Sequence, residues 1–199
     1  MTTSDLVAAL QPVADALDDL GVRYFVGGSV ASSAHGIARA SLDADVVAEL
    51  EPQHAEPLIA RLQPAYYVPE GHVRAAVEER SSFNVIHIGT MFKIDVFVSK
   101  RRVFDREAAT RTQAVALEGH PAARLFPVAS PEDTVLAKLE WFRAGGEVSE
   151  RQWHDVIGVL TVTPQVDRSY LRRWASALGV AALLQRAMAD AGLPPDVTR

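Results

Sequence analysis

Phe25-Val26-Gly27-Gly28-Ser29 is the stretch on which the reading of this chain turns. The β-prone run Arg23 to Val26 predicts a short strand, the glycine pair breaks it, and Val30 to His35 reads as a short helix that Gly36 stops. A strand that passes through glycines into a helix presents backbone N–H groups at the positive end of the helix dipole. Gly27, Gly28 and Ser29 are therefore a candidate phosphate cradle, with glycines allowing close approach and the Ser29 hydroxyl able to donate to a phosphate oxygen. Taken alone, the glycine pair reads equally well as an ordinary tight turn.

The next element outward carries the opposite charge. Leu42 to Leu50 has a strand-like pattern closed by Pro52, and within it Asp43 and Asp45 stand two apart, so both carboxylates project from one face. They repel each other unless a cation joins them, and a hard divalent ion such as Mg²⁺ (or Mn²⁺) suits them, since it is held by one or two carboxylates together with substrate phosphates. Asp95 lies in Phe92-Lys-Ile-Asp-Val-Phe-Val98, where Lys93, Asp95 and Phe97 share one face and Ile94, Val96 and Val98 the other. An acid in so apolar a strand calls for a ligand. An anion site followed by a cation site is the arrangement that holds a metal-bound nucleoside triphosphate for in-line attack.

The rest of the chain supplies a frame. Leu6 to Leu20 recur at helical spacing between Ser4, read as an N-cap, and Gly21. Helices are expected around Leu58 to Leu62 and from His72 to Arg80. Phe83 to Ile88 and Met91 to Val98 read as a hairpin joined by a two-residue type II′ loop, Gly89-Thr90. Val103 to Thr110 reads as helix, and Gln113 to Leu117 and Ala123 to Val128 as short edge strands. Beyond Val128 the pattern turns helical. Ser130-Pro131-Glu132-Asp133 is a strong start signal, Ser149-Glu-Arg-Gln152 reads as a capping box, and Tyr170 to Leu178 and Val180 to Ala191 complete the tail. The expected architecture is α+β: a small mixed sheet with flanking helices over residues 1–128, and a helical segment over residues 129–199 packed on it.

Composition sets outer bounds. The 199 residues are 48% hydrophobic and 23% charged, which suits a folded core and excludes global disorder. A net charge of -5 argues against attraction to nucleic acid or anionic membrane as the main activity. Cysteine is absent, which removes disulfides, thiolate nucleophiles and cysteine-based zinc sites. The opening residues lack the features of a signal peptide and no stretch has the apolar length of a membrane span, so the expectation is a cytoplasmic protein with no membrane partner.

Phe25-Val-Gly-Gly-Ser29, Asp43-Ala-Asp45 and Asp95 together resemble the signature of the DNA polymerase β-like nucleotidyltransferase superfamily. More narrowly, Arg39-Ala-Ser-Leu-Asp-Ala-Asp45, Pro131-Glu-Asp-Thr-Val-Leu-Ala-Lys138 and Arg151-Gln-Trp-His-Asp155 look like its AbiEii-type branch of abortive-infection toxins, a likeness spanning about residues 20 to 160. The resemblance implies the nucleotidyltransferase fold and Mg²⁺-dependent transfer of a nucleoside monophosphate from a nucleoside triphosphate, ATP among them, onto a hydroxyl. It implies that Gly28 and Ser29 bind the triphosphate and that Asp43 and Asp45 ligate the metal. Asp95 assists the base that deprotonates the hydroxyl or holds a second metal, Lys138 meets the phosphates, and Asp155 orients Lys138 or the acceptor. Arg39 is a further phosphate contact. Transfer RNA or another RNA, a protein side chain and a small molecule are the open acceptors. A toxin role with a cognate antitoxin as partner follows from the branch alone. The segment Glu147 to Trp153 lacks the basic run expected of toxins that act on transfer RNA.

Blander readings stand beside these. Lys138 fits a solvated residue on an amphipathic helix, and Asp155 a surface acid paired with Arg151 four residues earlier. His35, His54, His72, His87, His120 and His154 have no ligand spacing and read as structural or exposed. Lys100-Arg101-Arg102 reads as a solvated turn or a contact for a nucleic-acid backbone, and Trp141, Trp153 and Trp174 as core. Two other classes of function remain. One is a non-catalytic relative of the same fold that binds a nucleotide or partner. The other is a serine hydrolase, for which Gly27-Gly28-Ser29-Val30-Ala31 imitates a nucleophile elbow but lacks its second flanking glycine.

Overall fold

Side-chain alternation fixes the centre of the sheet. Along β2 (Asp43–Ala48) and β5 (Lys93–Val98) every second residue is buried, so Ala44, Val46 and Ala48 join Ile94, Val96 and Val98 in the core. The intervening residues, with Asp43, Asp45, Lys93 and Asp95 among them, form the opposite, partly exposed face. The two strands run parallel, with Asp43 opposite Lys93 and Asp45 opposite Asp95.

The computed structural model describes residues 3–119 and 122–194, which leaves His120 outside the described residues. Contacts divide the chain into two units, Met1–Val30 with Ala40–Ala129 and Ala31–Arg39 with Ser130–Arg199. The first holds a mixed sheet to which β1 (Tyr24–Val26), β3 (Tyr66–Tyr67), β4 (Ser82–His87), β6 (Gln113–Ala116) and β7 (Leu125–Val128) also belong, in the order β3-β4-β5-β2-β1-β7-β6. The pairs β2–β5 and β1–β7 are parallel and the other neighbours antiparallel. Helices α1 (Thr3–Asp19), α3 (Ala55–Leu62), α4 (Glu70–Glu79) and α5 (Val103–Thr110) complete the unit. Leu10, Leu17, Leu58, Leu62 and Phe92 are fully buried, each worth about 1.5–3 kcal/mol of apolar burial.

In the second unit, α6 (Pro131–Ala144), α7 (Glu150–Val162), α8 (Arg168–Ala177) and α9 (Ala181–Asp190) surround Leu136, Leu139, Leu160 and Leu171. Helix α2 (Gly28–His35) starts in the first unit and ends in this one. Ser130 caps α6 by accepting from the Asp133 amide, as its sequence position predicts. The acids of that first turn are buried: Asp133 accepts from the Ser130 and Tyr170 hydroxyls at 2.6 Å each, and Glu132 accepts from the Asp167 amide at 2.9 Å.

Several expectations change. Ser4 is a helical residue of α1 rather than its cap. The β4–β5 hairpin forms, but not through a type II′ turn. The Phe92 carbonyl accepts from the His87 amide and the His87 carbonyl from the Met91 amide, so residues 88–91 form the loop and Met91, at φ 56°, takes a left-handed conformation. Ser149 caps α7 through the Gln152 amide, yet Gln152 Oε1 finds no hydrogen-bond partner, so the reciprocal half of the capping box does not form. Trp141 is 57% exposed rather than core, because Val135, Leu136, Leu139 and Phe142 already supply the buried face of α6. Trp174 is buried, and Trp153 packs on Phe142 with its Nε1 donating to Asp190 at 3.1 Å.

Candidate active site

The site in the first unit is built where β1 ends. The Gly27 amide donates to the Asp45 carbonyl at 2.9 Å, which carries the β1–β2 pairing of Val26 with Val46 one step further and fixes the turn against β2. Gly28 then adopts φ 54°, a left-handed conformation that favours glycine. A Cβ there would lie 2.9 Å from Cβ of Asp45 and overlap its carboxylate. The two glycines thus differ in kind: a Cβ on Gly27 would meet nothing within 4 Å.

Asp43 is steadied by the Ser41 hydroxyl, which donates to Oδ1 at 3.0 Å. Lys93, opposite Asp43 in register, reaches along β5 to Oδ2 of Asp95 at 2.7 Å and stands 3.8 Å from Oδ2 of Asp43. The hydrogen bond to Asp95 holds the Lys93 ammonium above the usual lysine range against its desolvation, and the charges of Asp95, Asp43 and Asp45 add to it. Asp95 is therefore not the lone acid its apolar strand implies. Lys93 is legible on the same face in the sequence, but parity identifies a shared face and not a bond along it.

These donors suit a hard cation. All are carboxylate oxygens, and a phosphate brought to the Gly28-Ser29 backbone would meet the Asp45 carboxylate, a repulsion that a divalent ion relieves. Among the described residues no group of three His, Cys, Asp or Glu side chains is arranged to hold an ion. The pair whose donors would fit such an ion is Asp43 with Asp45, while Lys93 engages the expected third ligand, Asp95.

The second unit gathers the other three candidates. Arg39 forks onto Asp155, Nε to Oδ1 at 2.8 Å and Nη2 to Oδ2 at 2.7 Å, and Lys138 Nζ reaches the same Oδ2 at 2.8 Å. The side chains of Lys138 and Asp155 are only 10% and 8% exposed, which replaces both the solvated lysine and the Arg151 pair of the sequence reading. Burial pushes the Asp155 carboxyl up, but the hydrogen bonds from Arg39 and Lys138 outweigh it and hold the group below the usual aspartate range. Gly36 makes the approach feasible: a Cβ there would sit 2.8 Å from Val159 N of α7. Thr163 also donates to the His35 carbonyl at 2.9 Å, tying the Arg39 segment to that helix.

Other candidates resolve as local structure. Arg101 pairs with Glu51, and Arg102 with Asp105 at 2.8 Å, so much of the basic run is neutralised in place. His54 accepts from the Glu51 amide, His87 bonds Thr90 and packs at a tilt against Tyr66, and His72 and His154 are exposed.

No protein-family model and no curated protein sequence matches the chain. Solved structures do. The solution structure of the antibiotic-resistance factor ANT(2'')-Ia superposes with TM-score 0.56 at 15% identity, covering 96% of this chain and 97% of that one. An antigenic nucleotidyltransferase-like protein from Paracoccidioides brasiliensis gives TM-score 0.56 at 14% identity over 96% and 93%. The chain has the nucleotidyltransferase fold. A crystal structure of ANT(2'')-Ia in complex with adenylyl-2''-tobramycin shares that fold too, with TM-score 0.55 and 14% identity over 87% of this chain and 97% of that chain. Among the described residues no helix is long and apolar enough to cross a membrane.

Proposed function

We propose that this protein is a nucleotidyltransferase of the DNA polymerase β-like superfamily that moves a nucleoside monophosphate from a nucleoside triphosphate onto a hydroxyl. The observation that carries the reading is the Asp45 carboxylate packed against left-handed Gly28, which sets a cation ligand beside a phosphate-binding turn. In this reading the Gly28 and Ser29 backbone and the Ser29 hydroxyl hold phosphate oxygens. Asp43 and Asp45 hold Mg²⁺ or Mn²⁺, which when bound supplies neutralisation of the phosphate charge. Asp95 accepts the hydrogen bond of the attacking hydroxyl and orients its oxygen. That oxygen forms a bond to the α-phosphorus, the bond from α-phosphorus to the bridging oxygen breaks, and pyrophosphate leaves with the electron pair. The hydroxyl proton passes to solvent.

A small-molecule hydroxyl is the favoured acceptor class, by analogy of fold with ANT(2'')-Ia, whose complex contains adenylyl-2''-tobramycin. The AbiEii-type resemblance is the narrower reading of lineage, and it is favoured by Arg39, Lys138 and Asp155 forming one part-buried cluster. Lys138 and Asp155 are kept as functional residues in this proposal.

The test is transfer from each α-labelled nucleoside triphosphate, with Mg²⁺, to total RNA, to protein and to a panel of hydroxylated small molecules. Label should move to one acceptor class and stay behind when Asp43 and Asp45 are both replaced by asparagine. Equal labelling by that double variant would overturn the proposal.

A further inference from the structure

Resting on the nucleotidyltransferase reading, we infer that Lys93 is a resident cation in the place of a second metal ion, so that the acidic face takes one divalent ion per chain. Register carries the first step. Asp43 faces Lys93 and Asp45 faces Asp95 across the parallel β2–β5 pair, and alternation puts all four side chains on one face. The ammonium sits 2.7 Å from Asp95 and 3.8 Å from Asp43, a point charge among carboxylates.

Charge carries the second. Three aspartates contribute -3 and Lys93 +1, leaving -2, which a single divalent ion balances before any phosphate arrives. A second ion would have to take Asp95 from a charge-assisted hydrogen bond at optimal length and sit beside the displaced ammonium. At close range in a partly desolvated site, that like-charge contact opposes its entry. Lys93 is thus a positioning residue: it holds Asp95 and sets the metal count without touching the nucleotide.

The experiment counts ions rather than turnover. Full-length protein is saturated with a non-hydrolysable α,β-methylene nucleoside triphosphate, and bound Mn²⁺ is measured by electron paramagnetic resonance of the free ion and by calorimetry. Wild type should bind one Mn²⁺, Lys93→Met two with spin coupling between them, and Lys93→Arg one, since the charge is restored. Two ions in the wild type, or one in Lys93→Met that still binds the nucleotide, overturns the assignment and leaves the nucleotidyltransferase reading intact. Neither Mn²⁺ nor nucleotide bound by any of the three overturns both.

Discussion

The Asp45 carboxylate occupies the space that a side chain on Gly28 would need. One residue supplies a bare backbone in the left-handed region and the other fills the gap with negative charge, so the proposed phosphate-binding turn and the proposed cation site share a wall.

Substitution at the two glycines should therefore separate. Gly28→Ala incurs about 1–2 kcal/mol for the left-handed conformation and must push Asp45 aside, so nucleotide affinity should fall roughly tenfold or more. Gly27→Ala, with open space at its Cβ, should stay close to wild type. Calorimetric titration of both variants with the α,β-methylene analogue checks this.

Ser29 and Asp45 distinguish transferase from hydrolase. Ser29→Ala removes one hydroxyl donor and should lower transfer only a few-fold, whereas Asp45→Asn should lower it by more than the roughly 10–100-fold typical of losing an outer partner of a metal site. A hydrolase would show the reverse order, since loss of a nucleophilic serine removes the reaction itself. Rates of both variants under one set of conditions decide between them.

In the second unit the prediction concerns stability. Asp155→Ala removes the carboxylate that the part-buried Arg39 and the buried Lys138 share, and breaking a buried ion pair costs about 3–5 kcal/mol, which the partial exposure of Arg39 lowers. Lys138→Met should cost less, because the Arg39 fork still satisfies Asp155. Urea denaturation of both variants measures the difference.

The same cluster gives a pH dependence of known sign. A carboxyl held below its ordinary value stabilises the fold fully above that value, and the contribution is lost as pH falls through the lowered one. Wild-type stability should therefore drop below about pH 3.8, the ordinary aspartate value, more steeply than that of Asp155→Asn. Denaturant midpoints collected from pH 6 downward test this.

What the sequence revealed depended on how local the physics is. The strand, glycine turn and helix around Gly28 and the Ser130 cap follow from neighbours within a few residues, and both formed. The hairpin loop is not the two-residue Gly89-Thr90 turn, because the His87 carbonyl takes the Met91 amide and the loop widens to residues 88–91, with Met91 in the left-handed region. Lys138 resembled any lysine on an amphipathic helix. Its burial depends on Arg39 and Asp155, 99 and 17 residues away, and periodicity carries no information about such partners. Lys93 fell between these cases, its face visible from parity and its bond to Asp95 visible only in space.

The most direct measurement is binding of the α,β-methylene nucleoside triphosphate to wild type and to Asp45→Asn, each with Mg²⁺ and with a chelator. Wild type should bind only with the metal, and Asp45→Asn should bind at least tenfold more weakly. Equal affinity in all four conditions would contradict a metal-bridged nucleotide at the wall shared by Gly28 and Asp45.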